Sequence, residues 1–239
     1  MRPIRLAGLG LLALAGLLPW AGAPAAPAYS GLGFEPPEPG SYELPPIREA
    51  ADGEVLRASG KPTRLHRLYG DKVVVLSFIY THCQRPSGCP LASFVLSQVK
   101  RRLEDMPGMA ERVRLITLSF DPRRDTPAAM RRYRERLVRE GPLEWVFLTT
   151  RSRKELDPIL AAYDQVAEPR YEDGRPTGMF SHILRVFLID RERRIRNIYS
   201  VDFLHPRILV NDIRTVLESP SGNPPSGEEK SSRGAGSRA

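Results

Sequence analysis

Cysteine is nearly absent from this sequence: two occur in 239 residues, Cys83 and Cys89, six positions apart. So close a pair is a poor staple, because closing so short a loop contributes only about 2 kcal/mol by the chain-entropy argument. A structural disulfide, a redox couple and a metal site all stay open on the count alone. Structural zinc is usually held by four protein ligands, and there is no third cysteine to help close such a site. Apolar runs long enough for several membrane spans are missing, and with 41% hydrophobic and 27% charged residues the chain is not wholly disordered either. No recognition helix, zinc finger or aromatic RNA-binding signature accompanies the net charge of +8. Lys and Arg are interspersed with Asp and Glu, the pattern of a basic solvated surface rather than of nucleic-acid recognition. No internal repeat is present, and the length suits one domain with tails.

What is present begins with an address. Arg2 and Arg5 precede an apolar run over residues 6–20, and small residues follow at Ala21, Ala23, Ala25, Ala26 and Ala28. This is the layout of a signal peptide over residues 1–28, with cleavage between 23 and 28. The run falls short of the roughly 20 residues that cross a bilayer, so the membrane is met only if the segment stays uncleaved as an anchor. No cysteine lies near the cleavage point, so lipidation there is not expected. The expected location is periplasmic or otherwise extracytoplasmic. Residues 29–46, rich in Pro and Gly, read as an extended linker, and residues 219–239 as a disordered tail of Ser, Gly, Pro and charge.

The domain expected over residues 47–218 alternates strand and helix. Residues 72–79 (KVVVLSFI) form a β-branched and aromatic run suited to a strand buried on both faces. Pro90 opens a helical pattern in which Leu91, Phe94, Val95, Val99 and Leu103 recur at spacings of three and four. A second strand is predicted over 113–120, then a helix with Thr126 as cap and Pro127 at its first position. A third strand covers 145–148, and Ser152 with Glu155 makes a capping box for a helix carrying Leu156, Ile159, Leu160 and Tyr163, despite Pro158. Strands over 182–189 and 195–199, joined by a charged turn, precede a closing helix through Ile208, Leu209, Ile213, Val216 and Leu217. This order calls for an α/β fold, a central mixed sheet with helices on both faces, and it is the order of a thioredoxin-like domain.

Both cysteines fall in the loop after the first buried strand, at its carboxyl end, where open α/β sheets place their sites. Cys89 stands where the helix begins, so its thiolate is expected to be more accessible than that of a free cysteine. A thiolate serves both disulfide exchange and the binding of soft cuprous ion. His66 and His205 read as surface or hydrogen-bonded residues, and His82 is expected to point away from its neighbour Cys83. Asp121 and Asp125 read as a turn residue and a helix-start residue, with a supporting role beside the site as the alternative.

Four blocks in order carry a family resemblance: residues 75–83 (VLSFIYTHC), the Cys89-Pro90 pair, residues 118–127 (LSFDPRRDTP), and Ser181-His182 ahead of residues 187–190 (FLID). Together they resemble the Sco/SenC family, thioredoxin-like copper proteins linked to assembly of the binuclear copper site of cytochrome c oxidase. The resemblance implies that Cys83, Cys89 and His182 are copper ligands, for cuprous or cupric ion, and that the partner is a copper-receiving oxidase subunit or another copper protein. Many members place three residues between the cysteines and Asp before the histidine. Here five residues intervene, so metal affinity and reduction potential are expected to depart from the family norm, and Ser181 takes the Asp position, a change that bears on metal release or partner transfer. The competing reading is a thiol–disulfide oxidoreductase or peroxidase using Cys83 and Cys89 without metal, although the signature spacing of such enzymes is two residues. A module with an inert disulfide is the third.

Overall fold

The computed structural model describes residues 31–219; the expected signal peptide over 1–28 and, apart from Ser219, the expected tail lie outside them. Residues 31–47 form no helix or strand, and the chain then enters three short strands, β1 (Arg48–Glu49), β2 (Glu54–Arg57) and β3 (Pro62–Arg64), and helix α1 (Leu65–Tyr69). The expected alternation follows: β4 (Val73–Ile79), α2 (Cys89–Glu104), α3 (Met109–Arg112), β5 (Val113–Ser119), α4 (Pro127–Leu137), β6 (Trp145–Thr149) and α5 (Arg153–Ala162). The chain closes through β7 (Ala167–Glu172), β8 (Arg175–His182), β9 (Val186–Ile189), β10 (Arg194–Tyr199) and α6 (Pro206–Glu218).

Eight strands make one mixed sheet in the order β1-β10-β9-β4-β5-β6-β2-β3. Strands β4, β5 and β6 run parallel, with Val75 opposite Leu115 and Leu115 opposite Trp145, while β9 joins β4 antiparallel. All seven residues of β4 are buried, so both faces of the sheet are covered. Phe78 of β4 packs against Tyr163 and Phe187, with ring centroids 5.4 and 5.9 Å away. The α/β, thioredoxin-like architecture read from the sequence is thus the observed one. Pro158 lies inside α5, where it removes one backbone donor without ending the helix.

One expectation fails. The strand predicted over 182–189 is two strands in different sheets: His182 ends β8, and β9 begins only at Val186. Strands β7 and β8 form a separate two-stranded sheet, and nearly all of β7 is exposed. Without a buried face there is no apolar alternation to read; the legible signal was Asp173-Gly174, whose positive φ angles of 49° and 73° make a hairpin turn.

The segment expected as a linker lies along α6. The Asn211 side chain donates to the Pro37 carbonyl at 2.9 Å, the Gly40 amide to Thr215 Oγ1 at 3.0 Å, and the Tyr42 hydroxyl to Asp212 Oδ1 at 2.5 Å. Asp212 is buried and also accepts from Tyr199 and Asn197 at 2.6 and 2.9 Å. Burial and this carboxylate push the Tyr42 hydroxyl pKa up to about 12. Replacing Asp212 with alanine strands three donors, so Asp212→Ala is expected to lower stability by about 3 kcal/mol in equilibrium urea unfolding.

Candidate metal centre

The site is built where β4 ends. Tyr80 leaves the strand buried, its carbonyl accepts the Cys83 amide at 3.3 Å, and a turn from Arg85 to Gly88 returns the chain to α2, with Gly88 N donating to Arg85 O at 2.9 Å. That turn absorbs the long spacing between the cysteines. A Cβ at position 88 would sit 3.2 Å from both Cys83 Sγ and the Arg85 carbonyl, so a larger residue there would press on the turn. Cys89 is the first residue of α2 and fully buried, whereas Cys83 is half-buried. Both are free thiols.

His182 arrives from the other direction, at the end of β8, and its Nε2 lies 3.9 Å from Cys89 Sγ. The two sulfurs and one imidazole nitrogen all lie within 4.8 Å of one another. Aromatic packing orients the ring: Tyr80 meets it edge-on at 5.8 Å and Phe120 lies tilted at 5.0 Å. Phe180 packs on both of these aromatics, at 5.2 and 5.3 Å. Arg124 adds a tie between the body and the hairpin, donating to the Gly178 carbonyl at 2.8 Å. Gly178 has a φ of +78°, and a Cβ there would come within 2.4 Å of that guanidinium.

The pair shares its proton unevenly. A hydrogen bond from Cys89 pulls the Cys83 thiol down to about 3 against the effect of burial, helped by His182 and by the backbone at Cys89 and Arg85. The same hydrogen bond, together with burial, pushes the Cys89 thiol up. The expectation that the Cys89 thiolate is more accessible than that of a free cysteine is therefore overturned: the helix start is real, but its sulfur is buried and spends its proton on its neighbour. Iodoacetamide at pH 6 is expected to label Cys83 at least about tenfold faster than Cys89, read by peptide mass spectrometry, because only the thiolate is alkylated.

Asp125 was expected at a helix start, and the structure gives it a different task. The cap of α4 is Thr126, which accepts from the Ala129 amide. The Asp125 carboxylate is buried and accepts from the Thr81 amide at 3.0 Å, the Thr81 hydroxyl at 2.5 Å and the Ser119 hydroxyl at 2.5 Å. It sews the cysteine loop to the end of β5. Asp121 does form the expected turn, its carbonyl accepting from Arg124 and Asp125 amides, and burial beside Asp125 raises its pKa. His82 is exposed and faces Thr81, with Nδ1 3.1 Å from Oγ1, outside the sulfur and imidazole group. His66 bonds the Ala50 carbonyl at 2.7 Å, and His205 Nδ1 accepts the Arg207 amide at 3.2 Å, as hydrogen-bonded residues do.

With the geometry in place, the comparisons decide the family. The SCO1/SenC profile matches residues 49–218. The chain belongs to the SCO1/SenC family. A 60-residue stretch is 47% identical to the mitochondrial SCO2 homolog of Bos taurus, over 25% of this chain and 21% of that protein. The chain thus matches about a fifth of the length of that curated relative. Among solved structures it resembles apo Sco1 of Thermus thermophilus with a TM-score of 0.58 and 26% identity, covering 73% of this chain and 94% of that one. Bradyrhizobium japonicum ScoI with copper bound gives 0.57 and 24%, covering 70% and 99%. SCO1/SenC membership accounts for the shared frame, while the five-residue cysteine loop and Ser181 are features of this chain.

Proposed function

We propose that Cys83, Cys89 and His182 hold one copper ion, and that the chain is an exported metallochaperone. Its cargo is copper destined for the binuclear site of cytochrome c oxidase, or it keeps the cysteines of that site reduced. The observation that carries this reading is the convergence of two sulfurs and one imidazole nitrogen within 4.8 Å, offered by three segments of the chain. That donor set fits the cargo: thiolates suit cuprous ion, imidazole suits both oxidation states, and the set lacks the fourth protein ligand of a structural zinc site. Cys83 would meet the ion as a ready thiolate, Cys89 would release its proton to solvent on ligation, and His182 would complete the shell from the hairpin. We take residues 47–218 as the copper-binding unit, delivered outside the cytoplasm by residues 1–28. No helix among the described residues is long and apolar enough to cross a membrane.

Anaerobic titration of the reduced chain with cuprous ion tests this. One ion per chain is expected, with affinity rising about tenfold per pH unit near neutrality as the Cys89 proton is displaced. Binding that is flat between pH 8 and pH 5 would contradict thiolate ligation. The lowered Cys83 thiol also favours a second reading, metal-free thiol–disulfide exchange. That reading gives His182 no ligand role, so turnover of disulfides by metal-free protein at rates untouched by His182→Ala would support it instead.

A further inference from the structure

A cavity of about 370 Å³ opens over Cys83. Its lining includes Ile183 and Val201, which are 56% and 40% exposed, and two arginines, Arg85 and Arg170. Neither arginine has an ion-pair partner among the described residues, and no carboxylate lines the cavity. Cys83 borders this space and Cys89 does not. A cavity lined by two arginines without ion-pair partners among the described residues, by apolar side chains and by one cysteine suits a small molecule that is anionic at one end and carries sulfur at the other.

We propose that this cavity binds a low-molecular-weight, carboxylate-bearing thiol and directs it onto Cys83 when the cysteine pair is oxidised. The carboxylate lies against Arg85 and Arg170, and the incoming thiolate attacks Cys83 Sγ. The Cys83–Cys89 bond breaks as the new S–S bond forms, and Cys89 leaves as a thiolate that takes one proton from solvent. A second thiolate then attacks the small thiol's own sulfur in the mixed disulfide. It releases the thiol as its symmetric disulfide and returns Cys83 as a thiolate: two electrons pass to the protein, and two thiols become one disulfide. The site thereby selects the reductant that restores the copper ligands, a choice made by charge rather than by the sulfur chemistry itself. The inference needs only the cysteine pair and stands whether or not the metal proposed above is copper.

The test uses the full chain, oxidised at the pair, with 3-mercaptopropionate, 2-mercaptoethanol and cysteamine as reductants. Each rate is divided by the same thiol's rate with a small neutral disulfide, which removes intrinsic nucleophilicity. The corrected rate for 3-mercaptopropionate is expected to exceed that for cysteamine by on the order of tenfold, and to shrink with added salt. Arg85→Ala with Arg170→Ala brings the ratio to within about twofold of unity, while Arg131→Ala with Arg132→Ala, on the exposed face of α4, leaves it in place. Quenching traps the mixed disulfide on Cys83. A ratio unchanged by removing Arg85 and Arg170, or a mixed disulfide found on Cys89, overturns the proposal. Copper stoichiometry measured on the same variants reports on the metal site separately.

Discussion

Cys83→Ser and Cys89→Ser are each expected to abolish tight cuprous binding. The expected loss of affinity is more than about 100-fold, beyond what removing an outer partner of a metal ligand costs. A serine hydroxyl stays protonated at neutral pH and is a hard oxygen donor, so neither charge nor softness is replaced. Cys89 is the more demanding position, since its sulfur sits fully buried at the start of α2 with the Tyr80 amide 3.5 Å away. His182→Ala behaves differently: one ion per chain is retained by the two thiolates, with weaker affinity and an altered cupric spectrum. Competition titration against a cuprous chelator reads all three, and stoichiometry unchanged in every variant would remove these residues from the site.

Asp125→Ala is expected to have the second large effect, although its carboxylate stands outside the Cys83, Cys89 and His182 group. Three donors, the half-buried Thr81 amide and hydroxyl and the buried Ser119 hydroxyl, lose their acceptor. The expected loss of stability is about 4 kcal/mol, and copper affinity falls by about tenfold or more because the loop carrying Cys83 is no longer held to β5. Asp125→Asn keeps one acceptor and brings a donor that the site does not want, so its effect falls between. Thermal and urea unfolding measure the first loss and chelator competition the second. A variant as stable as the wild type would show that Thr81 and Ser119 find other acceptors.

Strand β4 is legible because a strand buried on both faces is a continuous β-branched and aromatic run, and that placed Cys83 and Cys89 at the sheet's carboxyl edge without any family knowledge. His182 is not legible in the same way: it has no ligand spacing to a neighbour, and only the resemblance singled it out. Its strand was misassigned because β7 and β8 bury no continuous face, leaving the Asp173-Gly174 turn as the sole local sign. The protonation order of the cysteines was hidden for another reason. Position at a helix start argues for Cys89, but which sulfur is buried and which accepts the shared proton is decided by the turn at Arg85 to Gly88. The supporting role of Asp125 could stand only as the alternative reading, because its partner Thr81 is 44 residues away and comes within reach only when β4 and β5 pair.

The central claim is that two sulfurs and one imidazole nitrogen bind the same copper ion. X-ray absorption at the copper edge, on the cuprous chain and on His182→Ala, measures that shell directly. Two sulfur scatterers and one imidazole nitrogen are expected in the wild type, with the imidazole signature gone and both sulfurs retained in the variant. A shell of nitrogen and oxygen alone, or an imidazole signature that survives the loss of His182, would contradict the account.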